Sequence, residues 1–257
     1  MDLSLLGKAA LVTGSTRGIG KATALRLSEE GCAVGLCGRT RATLDATLAE
    51  FGGRPVFGLE VDLLSPGGVE RFVDETAQHF GRLDAVVACV GGTVGGNFLE
   101  TEPEAWLKTF ELNTVLAVRA IRAAAPHFEK VGGGSVVIVA SISGSKPGPR
   151  AQYGASKAAQ ISLAASLAKE LAPQKIRINT VSPGSIRWPG GSWAQRAAAM
   201  PDKINDFVAR EFPAGRMGTL DEIADVITFV LSPRASWVNG ANVIVDGAQG
   251  HPSIRLT

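Results

Sequence analysis

The fold of this chain is decided by one stretch near its start, Ala9-Ala-Leu-Val-Thr-Gly-Ser-Thr-Arg-Gly-Ile-Gly20. Its first four residues are apolar and predict a buried strand, and a helical pattern begins at Ile19. Glycines between a strand and a helix allow a tight turn and let the backbone approach a pyrophosphate. The free N–H groups and the dipole of the helix N-terminus favour such an anion. The stretch therefore predicts a phosphate-binding turn between the first strand and the first helix.

The rest of the chain repeats this alternation of short apolar runs and longer helical runs. Further strands are predicted at Ala33–Cys37, Val56–Glu60, Ala85–Cys89, Ser135–Ala140, Arg177–Val181 and Asn242–Val245. Helices are predicted at Ile19–Glu30, Arg41–Phe51, Gly67–Phe80, Pro103–Glu129, Ala151–Leu171 and Leu220–Leu231. Strands rich in Val, Ile and Ala with little polar alternation are typical of a parallel sheet that helices cover on both faces. The sequence therefore predicts an α/β fold. We expect a single doubly wound Rossmann-type domain over residues 1–257, with a seven-stranded, mostly parallel sheet flanked by helices.

The composition narrows the class of protein. Of 257 residues, 45% are hydrophobic and 19% charged, which predicts a large buried core. The formal net charge of +2 argues neither for nor against an anionic partner. The chain has no dense Lys/Arg run of the kind that predicts nucleic-acid binding. It has no apolar run of the roughly 18–20 residues that cross a membrane, and its first residues lack the pattern of a signal peptide. We therefore expect a cytoplasmic protein that binds neither nucleic acid nor membranes.

The cysteines and histidines carry no metal-site signature. Cys32, Cys37 and Cys89 lack the spacing of a disulfide framework or a zinc site, so we expect buried thiols in a reducing compartment. The histidines do not cluster with carboxylates or cysteines along the sequence; they are His79, His127 and His251. No metal site is therefore predicted.

One segment, between Ser182 and Phe212, interrupts the alternation. It is rich in proline and glycine around two tryptophans, Trp188 and Trp193. Long excursions of this kind in a compact domain are usually lids or binding loops. We therefore predict a loop with short helices inside it, which acts as a substrate lid at about residues 184–213.

Two predicted helices have more apolar surface than one sheet face can cover. The helix from Ala151 carries apolar residues on more than one side, and the helix around Leu112–Ala125 does the same. One apolar stripe is enough for a helix that lies on a sheet. The second stripe predicts a homo-oligomer, a tetramer or a dimer. A thick intramolecular core is the alternative.

The end of the second strand indicates which dinucleotide binds. The sequence there reads Cys37-Gly38-Arg39-Thr40, at the place where an NAD-preferring fold puts a carboxylate for the ribose 2′-hydroxyl. Arg39 stands there instead, with Arg17 nearby in the glycine turn. Because two guanidiniums suit a 2′-phosphate, we predict NADP(H) as the cofactor. The alternative is that both arginines are solvated surface residues.

The chain has one tyrosine, Tyr153, which stands four residues before Lys157. On a helix these two side chains lie on one face, about 6 Å apart along the axis. A nearby ammonium favours the phenolate and lowers the pKa of the phenol. A phenol tuned toward neutral pH can act as a general acid or base. The pair predicts proton-transfer chemistry, although the same spacing also occurs by chance in helices.

Together these motifs resemble the short-chain dehydrogenase/reductase family over essentially the whole chain, in a subgroup similar to 3-oxoacyl-carrier-protein reductases. The motifs stand in the family's order: the glycine turn, Asp62 after the third strand, Asn113 in a long helix, Ser141 after the fifth strand, Tyr153-x-x-x-Lys157 and Ser182-Pro183-Gly184. Each motif is modest alone, and together they are specific.

The resemblance implies a role for each catalytic candidate. Tyr153 exchanges a proton with the substrate oxygen, and Ser141 hydrogen-bonds the carbonyl and stabilises charge that grows on it. Lys157 lowers the pKa of Tyr153 and holds the nicotinamide ribose. Asn113 anchors a water that passes protons to Lys157. The implied cofactor-binding residues are Gly14, Ser15, Thr16, Arg17, Gly18, Ile19, Gly20, Arg39, Asp62, Leu63, Val90, Gly91, Tyr153, Lys157, Pro183, Gly184 and Ile186.

The chain departs from the family pattern around the site. After the fourth strand the family often has Asn-Asn-Ala-Gly, whereas this chain has Ala88-Cys89-Val90-Gly91 and so lacks a strand-tying asparagine. Trp188 replaces a threonine that often binds the nicotinamide amide. Ser141 stands twelve residues before Tyr153 where the family usually has thirteen, so Ser143 competes with it. A one-residue deletion in the following loop favours Ser141, because that serine keeps its place at the strand end.

We therefore expect an NADP(H)-dependent oxidoreductase that interconverts a carbonyl and a secondary alcohol. A 3-oxoacyl thioester or a similar ketone is the candidate substrate. The alternatives are a cofactor-binding regulatory protein without turnover and another reaction on the same scaffold, such as epimerisation. The lost asparagine and Trp188 are the features that favour the regulatory alternative.

Overall fold

A computed structural model of the protein describes residues 1–250, so His251 and the end of the predicted domain lie outside the described residues. Within residues 1–250 the chain forms seven strands: β1 (Ala9–Val12), β2 (Ala33–Gly38), β3 (Val56–Glu60), β4 (Ala85–Ala88), β5 (Gly134–Val139), β6 (Ile176–Pro183) and β7 (Asn242–Val245). The same residues form nine α-helices: α1 (Gly18–Glu29), α2 (Arg41–Ala49), α3 (Gly68–Phe80), α4 (Pro103–Phe110), α5 (Leu116–Lys130), α6 (Ala151–Glu170), α7 (Ser192–Ala199), α8 (Pro201–Glu211) and α9 (Leu220–Leu231). Across this described range, no helix is both long enough and apolar enough to cross a membrane.

The strands form one sheet in the order β3-β2-β1-β4-β5-β6-β7. Every strand pair within residues 1–250 is parallel, which confirms the predicted sheet and shows that it has no antiparallel member there. The order changes direction between β1 and β4. At such a point the connections leave to opposite faces of the sheet, and a crevice opens beyond the carboxyl ends of the strands.

Apolar side chains fill both faces of the sheet, as the strand sequences predict. On one face α3, α5 and α6 cover the strands, with Phe72 and Phe128 fully buried. On the other face α1, α2 and α9 do so, with Leu27 and Ile227 fully buried. This two-sided burial is why the strands read as nearly continuous apolar runs.

The long helix predicted at Pro103–Glu129 is interrupted by a wider turn. A π-helical turn, Glu111–Val115, joins α4 to α5 without a break in the chain direction. Asn113 lies in that turn and is 1% exposed. Single π turns inside α-helices often occur at functional sites. Here the turn directs a buried polar side chain toward the carboxyl edge of the sheet.

The predicted insertion after β6 contains two short helices, α7 and α8, as expected. The strand itself continues to Pro183, beyond the predicted end at Val181, because β7 pairs with it up to Val245. The two helices pack on each other through the stacked rings of Trp193 and Phe207, whose centroids are 5.0 Å apart. This small apolar cluster is separate from the two clusters on the sheet.

Candidate active site

A cleft of about 580 Å³ opens at the carboxyl ends of the strands, where the strand order changes direction. It lies between the glycine turn after β1 and the N-terminal part of α6. The predicted residues that line it are Gly14, Thr16, Arg17, Gly18, Ile19, Gly20, Arg39, Asp62, Leu63, Val90, Gly91, Ser141, Tyr153, Lys157, Pro183, Gly184 and Ile186. The fold therefore brings almost all the predicted site residues to one place.

Two predicted residues, Ser15 and Asn113, do not line the cleft. The Ser15 side chain is buried and bonds the backbone of β2: its hydroxyl accepts from the Cys37 N–H at 2.9 Å and lies 3.3 Å from the Cys37 carbonyl. Ser15 thus ties the glycine turn to the sheet. Asn113 lies behind the cleft wall, where its side chain bonds both the N–H and the carbonyl of Gly92.

The glycine turn has a backbone that other residues would not allow. Gly18 has a φ of +57°, a left-handed conformation that side chains disfavour. A Cβ at Gly20 would lie 2.3 Å from the Gly14 carbonyl oxygen, so helix α1 packs against the turn without room for a side chain. The N-terminus of α1 therefore lines the cleft with closely approaching backbone, a geometry that fits a pyrophosphate.

Thr13 ties the end of β1 to the segment that follows β4, where the chain lacks the family's asparagine. Its hydroxyl accepts from the N–H groups of Cys89 and Val90, at 2.9 and 3.2 Å. The same hydroxyl is 3.4 Å from the Val87 carbonyl. These bonds connect the end of β1 to the segment that follows β4, its neighbour in the sheet. The departure at Ala88 leaves the cleft wall supported.

The far end of the cleft, at the carboxyl ends of β2 and β3, carries positive charge. Arg17 and Arg39 are both exposed and line the cleft. Their guanidinium groups have no hydrogen-bond or ion-pair partner within residues 1–250. Asp62 caps the turn after β3, where one carboxylate oxygen accepts from the Leu64 N–H at 3.0 Å. This end can therefore receive an additional anionic group.

Ser141 and Tyr153 face each other at the inner end of the cleft. Ser141 follows β5, and its oxygen accepts from the Ser143 N–H at 3.1 Å. Its hydroxyl hydrogen-bonds the Tyr153 phenol. Ser141 rather than Ser143 lines the cleft. The structure thus favours the serine that keeps its place at the strand end.

The ionisation of Tyr153 differs from the expectation. Burial raises the pKa of the phenol above its ordinary value, and the Ser141 hydrogen bond opposes that rise only in part. Lys157 does not lower it in this arrangement, because the ammonium lies 5.6 Å from the centre of the phenol ring and bonds other groups. The phenol therefore carries its proton at neutral pH, as a general acid requires.

Lys157 is buried without a carboxylate partner in the described part of the chain. Its ammonium donates to the Val139 carbonyl at 2.8 Å and to Gln160 Oε1 at 2.9 Å. Burial lowers the pKa of Lys157 from 10.5 to about 8. A Cβ at Gly91 would lie 3.1 Å from the ammonium nitrogen, so this glycine keeps Lys157 open to the cleft.

Gln160 bridges Lys157 and the backbone of Asn113. Its Nε2 donates to the Asn113 carbonyl at 2.6 Å while its Oε1 accepts from Lys157. Gln160 was not among the predicted site residues. Its position was available from helical spacing, because Gln160 stands three residues after Lys157 and seven after Tyr153, on the same face of α6.

Trp188 borders the cleft at the start of the predicted lid. Its indole packs over the glycine turn, where a Cβ at Gly18 would lie 3.2 Å from the ring. Trp193 lines the same cleft from the first turn of α7. Both tryptophans belong to the predicted substrate lid. Cys89 and Leu112 also line the cleft and were not predicted, because apolar lining residues carry no recognisable motif.

The chain is similar to known proteins over almost all of its length. The profile of a family described as "Enoyl-(Acyl carrier protein) reductase" matches residues 14–248. An isoepoxydon dehydrogenase of Aspergillus clavatus is 33% identical over 95% of each chain. A 3-oxoacyl-acyl-carrier-protein reductase of Thermotoga maritima is 32% identical over 95% of this chain and 98% of its own. Among solved structures, L-sorbose reductase of Gluconobacter frateurii, complexed with NADPH and L-sorbose, has a TM-score of 0.92 at 29% identity and covers 98% of this chain and 100% of its own.

The chain belongs to the short-chain dehydrogenase/reductase family. It is an NAD(P)-dependent oxidoreductase that acts on carbonyl or alcohol substrates.

Proposed function

We propose that the enzyme uses NADP(H) to interconvert a ketone and a secondary alcohol. The observation that carries the proposal is the meeting of Ser141, Tyr153 and Lys157 at the inner end of a cleft. The far end of this cleft holds two arginines whose guanidinium groups have no partner among residues 1–250. Such an arrangement offers a proton donor, a hydrogen-bond donor for the substrate oxygen and a buried cation within one cavity. The nicotinamide, when bound, supplies the hydride.

We assign the proton transfer to Tyr153. In the direction of reduction the phenol gives its proton to the substrate oxygen, and in the reverse direction the phenolate takes one back. The Ser141 hydroxyl donates to the same oxygen and stabilises the charge that grows on it. Lys157 places a positive charge beside the phenol ring, and Asn113 holds the backbone of Gly92 at the cleft wall.

The preference for NADP(H) rests on the charge at the far end of the cleft. Neither Gly38 nor Arg39 offers a carboxylate for a ribose 2′-hydroxyl. The guanidinium groups of Arg17 and Arg39 can donate charge-assisted hydrogen bonds to a 2′-phosphate. The NADPH named with the Gluconobacter sorbose reductase also supports this choice. Apart from Ser15, the residues that we propose to bind the cofactor all line this cleft.

The proposed substrate is a 3-oxoacyl thioester or a similar ketone. The Thermotoga relative is a 3-oxoacyl-acyl-carrier-protein reductase, and the aromatic residues Trp188 and Trp193 border the cleft with apolar surface. We propose that the segment at about 184–213 is a lid over this substrate in a single-domain, cytoplasmic enzyme.

A homotetramer or dimer is the proposed assembly. Apolar side chains remain exposed on α4 and on the π-helical turn that follows it: Leu107 is 72% exposed and Val115 is 45% exposed. Exposed apolar surface of this kind marks protein–protein contacts. Light scattering coupled to size-exclusion chromatography tests the assembly, and a monomer at micromolar concentration would exclude it.

Cofactor oxidation with a panel of carbonyls tests the proposed function. NADPH and NADH are compared with a 3-oxoacyl thioester and simple ketones. Ser141→Ala and Ser143→Ala form the matched pair. We expect NADPH-dependent turnover that Ser141→Ala lowers by about 10²-fold or more, while Ser143→Ala changes it less. Turnover with NADH alone, or equal effects of the two substitutions, would contradict the proposal.

A further inference from the structure

Gln160 is a fully buried glutamine that touches two groups of the candidate catalytic centre. Its side-chain oxygen accepts from the Lys157 ammonium at 2.9 Å, and its side-chain nitrogen donates to the backbone carbonyl of Asn113 at 2.6 Å. The orientation of the amide is fixed, because an ammonium offers only donors and a carbonyl only an acceptor. The bridge therefore joins α6 to the π-helical turn at Glu111–Val115.

We propose that Gln160 is a positioning residue that holds the Lys157 ammonium in its charged form and ties it to the Asn113 carbonyl. The inference rests on the proposed function, since it assigns a partner to the lysine of that same site. An amide donates and accepts hydrogen bonds but does not release a proton near neutral pH. The bridge therefore transmits position between Asn113 and Lys157 and carries no proton between them.

The surroundings of Lys157 give this contact its weight. The titratable groups that face the ammonium are Tyr153 on the same helix and the Cys89 thiol after β4. Burial raises the pKa of Cys89 to about 11 and that of Tyr153 above its ordinary value, so both are neutral near pH 8. From β5 the Val139 carbonyl faces the ammonium, and it is also uncharged.

With only neutral groups around it, the protonated lysine depends on its hydrogen-bond acceptors. Gln160 supplies one of the two acceptors in the described part of the chain, and Val139 supplies the other. A hydrogen bond to the charged form of a group favours that form. Removal of the Gln160 oxygen should therefore release the proton from Lys157 at lower pH. A carboxylate at the same place should retain the proton to higher pH.

The test measures the titration of Lys157 directly, in the full chain without added cofactor. Lysine labelled with ¹³C and ¹⁵N is followed by NMR between pH 6 and 11, and the Lys157 signal is identified by its loss in Lys157→Met. Three variants are compared with the wild type: Gln160→Leu, Gln160→Glu and Gln152→Leu. Gln152 is the matched control, because it is also fully buried on α6 but donates to the carbonyls of Val94 and Gly96.

We expect Gln160→Leu to increase the acid dissociation constant of Lys157 tenfold or more. Gln160→Glu should decrease it, and Gln152→Leu should leave it unchanged. If Gln160→Leu does not fold, Gln160→Glu, which keeps the shape, decides the matter alone. A Lys157 titration that is the same in wild type and in the folded Gln160 variants would overturn the proposal.

Activity supplies the second readout. If the wild type reduces a carbonyl with NADPH, the alkaline limb of its pH–rate profile should move to lower pH in Gln160→Leu. The same limb should move to higher pH in Gln160→Glu. A merely structural role would lower the rate without moving that limb. If no carbonyl is reduced, the proposed function fails, while the NMR titration still decides the role of Gln160. The two failures are therefore distinguishable.

Discussion

Lys157 should make the folded protein less stable at neutral pH than in mild alkali. Burial lowers its pKa from 10.5 to about 8. Between these values the unfolded chain binds more protons than the folded one, so the free energy of unfolding rises with pH there. The whole interval corresponds to about 3 kcal/mol. The linkage relation gives a rise in the free energy of unfolding of about 1 kcal/mol between pH 7 and 9. Between pH 7 and 10 the rise is more than about 2 kcal/mol.

The assay compares wild type with Lys157→Met by urea denaturation at pH 7, 8, 9 and 10 without cofactor. The variant is compared with the wild type because buried thiols, present in both proteins, lower the free energy of unfolding as the pH rises. Cys32 and Cys37 have pKa values raised by burial to about 12, so they retain protons on folding and lower stability above pH 9. We expect the stability of Lys157→Met relative to wild type to fall by about 1 kcal/mol from pH 7 to 9.

That change equals roughly 2–4 °C in Tm for a chain of this length. Lys169→Met, which removes an exposed lysine near the end of the same helix, is the control and should show no such trend. A stability difference between Lys157→Met and wild type that is constant from pH 7 to 10 would refute the reasoning. A rise in the stability of Lys157→Met relative to wild type as the pH increases would show that the predicted sign is wrong.

Three further predictions follow from the cleft. Arg39→Ala and Arg17→Ala should each weaken NADPH binding by about tenfold, because each removes a charge-assisted hydrogen bond to the 2′-phosphate. NADH binding should change less. Calorimetric titration with both cofactors measures the two affinities. Trp188→Ala should weaken binding of either cofactor, because the indole packs over the glycine turn; equal affinities in variant and wild type would exclude that contact. Thr13→Val should lower the free energy of unfolding by about 1 kcal/mol, because the partly buried N–H groups of Cys89 and Val90 lose their acceptor. Urea denaturation would contradict this last prediction if Thr13→Val matched the wild type.

The strands, the doubly wound fold class and the phosphate-binding turn could be predicted from the sequence because all three are indicated by local patterns. Strands buried on both faces are nearly continuous apolar runs, and the glycine turn after β1 marks the crevice by its position. The motif residues Tyr153 and Lys157 were found for the same reason, since helical spacing fixes them on one face. Strand ends were less accurate, because pairing with β7 extends β6 to Pro183.

The contacts that tune the site could not be read from spacing alone. Ser15 belongs to the glycine turn, yet its side chain turns to β2, because the neighbouring backbone offers both a donor and an acceptor there. Thr13 and Gln160 form hydrogen bonds with residues that are distant in the chain. Thr13 accepts from Cys89, and Gln160 donates to Asn113. Such partners depend on the packing of elements, and a family motif names only the residues that most members share.

The pKa of Tyr153 shows the same limit. A lysine four residues away predicts a lowered pKa, and the motif alone contains nothing that argues otherwise. Burial of the phenol and the orientation of the ammonium toward Val139 and Gln160 reverse the direction. These are properties of the folded cleft, and a single sequence does not carry them.

The most direct test of the account is NADPH oxidation by wild type and Tyr153→Phe in parallel, with a 3-oxoacyl thioester and a panel of ketones. NADPH binding to both proteins is measured by calorimetry. The account predicts turnover by the wild type and a loss of about 10² to 10⁴-fold in Tyr153→Phe, while NADPH still binds to both. Equal turnover by the two proteins would contradict the role of Tyr153. Binding of NADPH with no carbonyl reduced by either would contradict the proposed reaction and favour a regulatory protein.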